Sequence, residues 1–178
     1  MTELMTDRGM VRVPAGMWRI DPSHSSAAFA VKHMMIATVR GRFREFAGGL
    51  LADPDDPARS RAWGTAKVAS IDTGDPDRDA HLRSPDFFDV DRHPELRFRS
   101  TAIQPSSHGS PRVHGELTAA GNRVALELEP TVEQTDGELH VDARTTIDQR
   151  QLGITWSPLG MTRAPVTVHV HAVLRPER

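Results

Sequence analysis

Apolar and polar residues alternate along most of this chain. Ala27, Phe29 and Val31 share one parity against Ala28, Ala30 and Lys32, and Val39, Gly41 and Phe43 interleave with Arg40, Arg42 and Arg44. A period of two is that of a strand with one dry face. The same reading predicts strands over Trp63–Ala69, Leu96–Thr101, Val113–Thr118, Arg123–Leu128, Leu139–Ile147 and Val166–Leu174, about eight in all. Turn chemistry separates them at Asp53–Pro57 and Pro105–Pro111, and Gly48-Gly49 suggests a bulge or bend. Sustained helical periodicity is absent. One short helical turn is expected over 77–83, after the turn-forming string Asp72-Thr73-Gly74-Asp75-Pro76. Short connections favour antiparallel neighbours, so the chain reads as mainly β, and alternation alone fits a barrel or a sandwich equally.

Residues 1–15 lack periodicity and are expected to form a flexible arm, followed by one domain over 16–176. At 178 residues the chain can bury a sizeable single core. A formal net charge of −2 gives no broad field to attract nucleic acid or an anionic bilayer, so neither partner is expected. Absence of cysteine removes disulfides and thiolate chemistry. No apolar run is long enough for a signal h-region or a membrane span, which predicts a cytoplasmic protein without stable membrane insertion.

Three strings carry a family resemblance: DPSHSSAAFAVKHMMIATVRGRF from Asp21 to Phe43, SIDTGDPDRDAHLRSPDFFDV from Ser70 to Val90, and HPELRFRST from His93 to Thr101. Together they resemble the YceI-like family of lipid-binding proteins. The likeness runs from about Trp18 to Thr101, weakens after Gly115 at the abbreviated Ala119–Asn122 turn, and resumes from Pro165 to Leu174. It implies a single antiparallel eight-stranded, lipocalin-like β-barrel enclosing a long apolar ligand such as a polyisoprenoid, a quinone or a fatty-acid derivative. Pairing into a homodimer is also implied.

An eight-stranded barrel can be filled by its own side chains or can hold one slender guest. Ala27 or Ala28, Gly41, Gly64 or Ala66, Ala143 and Ala172 are small candidates for inward positions, and small residues fill a lumen poorly. A solid core with these residues facing outward is the competing reading. If the lumen is open, the expected ligand-binding walls are Phe29, Val31, Phe43, Trp63, Phe98, Leu117, Leu126, Val141, Ile147, Val168 and Val170. Trp156 should border the same space, with Phe87 or Phe88 as a lid. Arg78, His81 and Arg83 are headgroup candidates, since guanidinium and imidazole can both donate to carboxylate or phosphate oxygens. Nearby aspartates offer those cations a purely local alternative.

The expected function is non-enzymatic binding, carriage or sequestration of a hydrophobic chain, with no cofactor. A histidine-dependent, metal-assisted hydrolase or isomerase is the alternative. His169-x-His171 places two imidazoles on one strand face, with His24, His33 and His140 as possible third ligands. Those two histidines lie opposite the valines of the same strand, so an inward valine row turns them to solvent and no metal site is assigned. Ser23-His24 lacks an evident third group for nucleophilic catalysis and reads better as a turn after Asp21-Pro22.

Overall fold

A computed structural model describes residues 12–33, 37–105, 109–154 and 165–178. Its strands are β1 (Gly16–Ile20), β2 (Ser26–His33), β3 (Ala37–Phe43), β4 (Phe46–Ala52), β5 (Arg61–Lys67) and β6 (Ile71–Asp72). They continue as β7 (Glu95–Gln104), β8 (Arg112–Ala119), β9 (Asn122–Leu128), β10 (Thr131–Thr135), β11 (Glu138–Asp148) and β12 (Pro165–Pro176). One helix, α1 (Pro76–Arg83), lies between β6 and β7.

All pairings are antiparallel. The main path runs β6-β3-β2-β12-β1-β4-β5-β7-β8-β9, and β11 joins β12 on one side and β10 on the other. Twelve strands therefore replace the expected eight. The four additions extend runs already read as strands. β1 leads into β2 across a 3-10 turn at Pro22–His24, and β4 follows β3 across Arg44 and Glu45. A second 3-10 turn at Val68–Ser70 separates β5 from β6, and Pro130, which has no N–H to donate, lies between β9 and β10. Each corner hands the ladder to new partner strands, and at the step from β3 to β4 the inward parity also shifts, from Phe43 to Phe46 and Gly48. Among the described residues no ladder joins β9 to β11, so the sheet is not closed rung by rung; the chain itself crosses that gap into β10.

Gly48 and Gly49 form no bulge, because β4 keeps unbroken register with β5 through both and with β1 as far as Gly49. They serve close approach instead. A Cβ on Gly48 would stand 2.8 Å from Ile20 Cδ1, and one on Gly49 would stand 2.6 Å from Trp63 Cζ2. The register break falls elsewhere, between Ser100 and Ala102 on β7.

Helix α1 is set by its cap. Asp75 accepts from the backbone N–H of Asp77 and Arg78 while Pro76 occupies the first turn, where its missing N–H costs nothing. Two apolar clusters form around the lumen. One joins Trp18, Ala52, Leu139, Ala172 and Leu174, with Val13 packed against it. The other joins Ala119, Val124, Ile147, Leu152 and Ile154, with Phe87 and Phe88 against it. Within the stretch expected as an arm, Val13 thus reaches the first cluster and Arg12 pairs with Asp55 at 2.7 Å.

Candidate functional site: an apolar cavity under helix α1

Between the clusters the interior holds a cavity of about 740 Å³, within the roughly 300–1,000 Å³ usual for small-molecule sites. Its wall is apolar. Strand β2 contributes Phe29 and Val31, β3 Val39 and Phe43, β7 Leu96 and Phe98, β8 Leu117, β11 Ile147, and β12 Val166, Val168 and Val170. Phe87 and Phe88 close over one side after α1, Phe88 meeting Phe43 edge-on at 6.2 Å between ring centroids. Polar atoms come mainly from Lys32, Arg78, His81 and Gln149.

Glycine thins this wall in two places. A Cβ on Gly41 would collide with the Phe29 ring, and one on Gly115 with the Phe98 ring, so each ring lies flat across a bare stretch of neighbouring strand. Small residues were expected either to leave the lumen open or to face out from a solid core. The Phe29 ring covers Gly41 and Ala172 is buried in the Trp18 cluster, whereas Ala27, Ala28, Gly64 and Ala66 border the cavity themselves.

Of the fourteen residues expected around a ligand, ten line the cavity, three do not, and one lies outside the described residues. Phe29, Val31, Phe43, Phe87, Phe88, Phe98, Leu117, Ile147, Val168 and Val170 line the cavity. Trp63 does not. It sits on the other face of β5 in a separate groove with Arg97, Arg99, Glu116 and Arg123, and Arg19 stacks over it at 5.7 Å. The sequence holds the signal: Trp63 shares parity with Thr65 and Lys67, whereas Ala62, Gly64 and Ala66 form the dry row. Leu126 packs against the Val124–Ile147 cluster and Val141 against the cluster of Leu139 and Trp18, and neither is among the cavity residues. Trp156 lies outside the described residues.

Several wall residues escaped the sequence reading, among them Phe46, Leu82, Leu152 and Ile154. Phe46 opens β4 with the inward parity shifted by one from Phe43, so the β3 alternation does not predict it. Leu152 and Ile154 depend on local anchors. Asp148 and Gln151 form a capping box around a 3-10 turn, Gly153 ends it at φ 72°, and Asn122 Nδ2 donates to the Leu152 carbonyl at 3.0 Å.

The three headgroup candidates separate in the structure. His81 faces the cavity, but its Nε2 lies 2.9 Å from Asp86 Oδ2 and its ring meets Phe87 edge-on at 5.0 Å. Arg83, two residues further along α1, is not among the lining residues. Arg78 lines the cavity and donates from Nε to Thr73 Oγ1 and from Nη2 to the Thr73 carbonyl, each at 2.8 Å.

Outside the lumen, Asp142 bridges His169 Nε2 at 2.8 Å and His171 Nδ1 at 2.9 Å. Those hydrogen bonds, His169's first, hold the Asp142 carboxyl below the usual carboxylate range. His140 lies 6.2 Å from His171 by ring centroids, and His24 sits with Asp21. Among the described residues no group of three or more histidines and carboxylates is arranged to hold a metal ion.

At Pro22–His24 a third group does approach the Ser23-His24 pair: Asp21. Ser23 Oγ donates to Asp21 Oδ1 at 2.5 Å, while His24 Nδ1 lies 3.0 Å from both Ser23 Oγ and Asp21 Oδ2. A catalytic relay uses the two ring nitrogens for different partners, whereas one nitrogen faces both here. This is a capped turn. The Ser23 hydroxyl, followed by His24, lowers the Asp21 carboxyl to about 2.

A family model described as the YceI-like domain matches residues 18–174. A UPF0312 protein of Photorhabdus laumondii is 34% identical over 109 residues, 60% of this chain and 56% of that relative, so the chain spans about half the length of the curated relatives it matches. The crystal structure of Burkholderia cenocepacia BcnA superposes with a TM-score of 0.79 at 25% identity, covering 86% of this chain and 98% of that one. A polyisoprenoid binding domain from Saccharophagus degradans, implicated in plant cell wall breakdown, has the same fold with a TM-score of 0.67 at 13% identity, over 90% of this chain and 98% of that one. Among the described residues no helix is long and apolar enough to cross a membrane.

Proposed function

The chain belongs to the YceI-like domain family, and on that premise we propose that it binds and carries, without chemistry of its own, one long apolar molecule inside a lipocalin-like barrel. The observation carrying this reading is the cavity of about 740 Å³ walled by Phe29, Phe43, Phe98 and the β12 valines. An aliphatic chain gains roughly 0.8 kcal/mol for each CH₂ withdrawn from water, so ten such groups contribute about 8 kcal/mol before ordering costs. That is the scale of micromolar affinity. The polyisoprenoid named for the Saccharophagus neighbour supports an isoprenoid as guest, and quinones and fatty-acid derivatives share the same slender apolar shape.

The breaks within the sheet support eight wall segments, each of the four broken ones bent at its corner. Linear chains should bind with shallow dependence on length, because every CH₂ meets similar wall. Native mass spectrometry of gently purified protein, joined to titration with farnesol, geranylgeraniol and a short-chain ubiquinone, tests the proposal. Saturable one-to-one uptake is expected, falling at least about tenfold in Val168→Trp, whose ring would occupy the lumen. Failure of the wild-type protein to take up any of these chains would sink the carrier reading.

A further inference from the structure

Many charged side chains on this molecule meet opposite charge. Asp72 holds Arg42 and Arg44, Glu45 holds Lys67, Glu116 holds Arg99, and Arg175 reaches both Asp21 and Glu138. Arg78 differs. Both of its hydrogen bonds go to Thr73, and among the described residues no carboxylate forms an ion pair with it.

Carboxylates are plentiful nearby, yet they are engaged elsewhere. Asp72 accepts from Gly74 N and pairs with Arg44, Asp75 caps α1, and Asp86 receives His81. Asp79 is buried at 8% exposure and accepts from Thr73 N at 2.9 Å and from Thr73 Oγ1 at 2.5 Å. Asp77 precedes Arg78 directly, and adjacent helical positions do not face each other. Thr73 thus works in two directions: its hydroxyl proton goes to Asp79, which leaves the oxygen to accept from Arg78 Nε. A guanidinium has five N–H donors, and Thr73 takes two, so the fork is oriented but not saturated.

We propose that Arg78 is the anchor for an oxyanion at the end of the bound chain, and that the ligand class is an acidic amphiphile, a carboxylate- or phosphate-ended apolar chain. This rests on the carrier reading above. A half-buried cation beside an apolar cavity gains most from a guest that brings the compensating charge, and a planar fork suits carboxylate and phosphate oxygens alike. Thr73 and Asp79 are positioning residues. They hold the guanidinium and reach the guest only through it.

Matched pairs test this by fluorescence or calorimetric titration: geranylgeranyl phosphate against geranylgeraniol, and palmitate against palmitamide. Wild-type protein should prefer the anionic member of at least one pair by about tenfold or more, the scale of a hydrogen bond to a charged group. Whichever pair shows the preference identifies the head as phosphate or carboxylate. Arg78→Gln should lower the anionic-to-neutral affinity ratio about tenfold, a ratio that a general weakening of the cavity would leave unmoved. Arg83→Gln, the same charge change off the wall, should retain the preference. Equal binding of charged and neutral members by wild type, or a preference that survives Arg78→Gln, overturns the anchor and leaves the carrier reading standing. Binding of no chain at all removes both.

Discussion

Two halves of one interior, built from the same residue types, end up in opposite states. Around Trp18 the space is filled: Leu139 is fully buried, and Ala52, Ala172 and Leu174 close on it. Around Phe29 and Phe98 it stands open to about 740 Å³. Strand β12 serves both halves, since its Ala172 and Leu174 belong to the filled cluster while Val166, Val168 and Val170 line the cavity. Large residues are set against small ones in each. Near Trp18 the bulky and small side chains interlock within one cluster, which builds a plug. In the open half the small partners are glycines beside the rings on the adjoining strand, Gly41 beneath Phe29 and Gly115 beneath Phe98, which builds a liner. Whether an aromatic fills or faces a lumen therefore depends on where its small partner stands.

The largest expected effect contrasts the two halves by truncation. Leu139→Ala should cost about 3 kcal/mol, since it leaves a void among close-packed neighbours, whereas Val31→Ala should cost about 1 kcal/mol or less because its outer atoms already border open space. Urea denaturation of ligand-free protein measures both. Equal costs would mean that the cavity is collapsed in solution.

A smaller effect sharpens the liner argument. Gly41→Ala puts a methyl where the Phe29 ring lies, and overpacking of that kind costs about 1 kcal/mol or somewhat more. Chain uptake should weaken several-fold as the ring tips inward, and Phe29→Leu added to Gly41→Ala should recover it. Uptake undisturbed by Gly41→Ala would show that the glycine does not keep the ring on the wall.

The smallest effect lies outside the lumen, where electrostatics act on solvated groups. Asp142, held low by His169 and then His171, contributes stability that is present above the ordinary carboxylate value of 3.8 and lost as pH falls through its folded value. Asp142→Asn should therefore lower Tm slightly at pH 5, with the gap to wild type shrinking as pH drops below about 4. A gap constant down to pH 2 would place its origin elsewhere than in the charge. Chain uptake should be the same in both proteins.

Period two, turn chemistry and the Asp75-Pro76 start of α1 were written in the residues themselves, because they depend on backbone sterics and local hydrogen bonds. So was the inward row of β2, β3, β7 and β12, which brought most of the cavity wall within reach of sequence. Trp63 was misplaced by hydrophobicity taken without parity, since a large indole can lie on an outer face when Gly49 and Arg19 receive it. Strand count, the corners, the confinement of Val141 to the plug, and the separation of Arg78 from Arg83 came only with the fold. Those features are set by which distant residues share a volume. Adjacency along the chain determines which way a side chain faces, and only the closing of the sheet determines whether another side chain is already there.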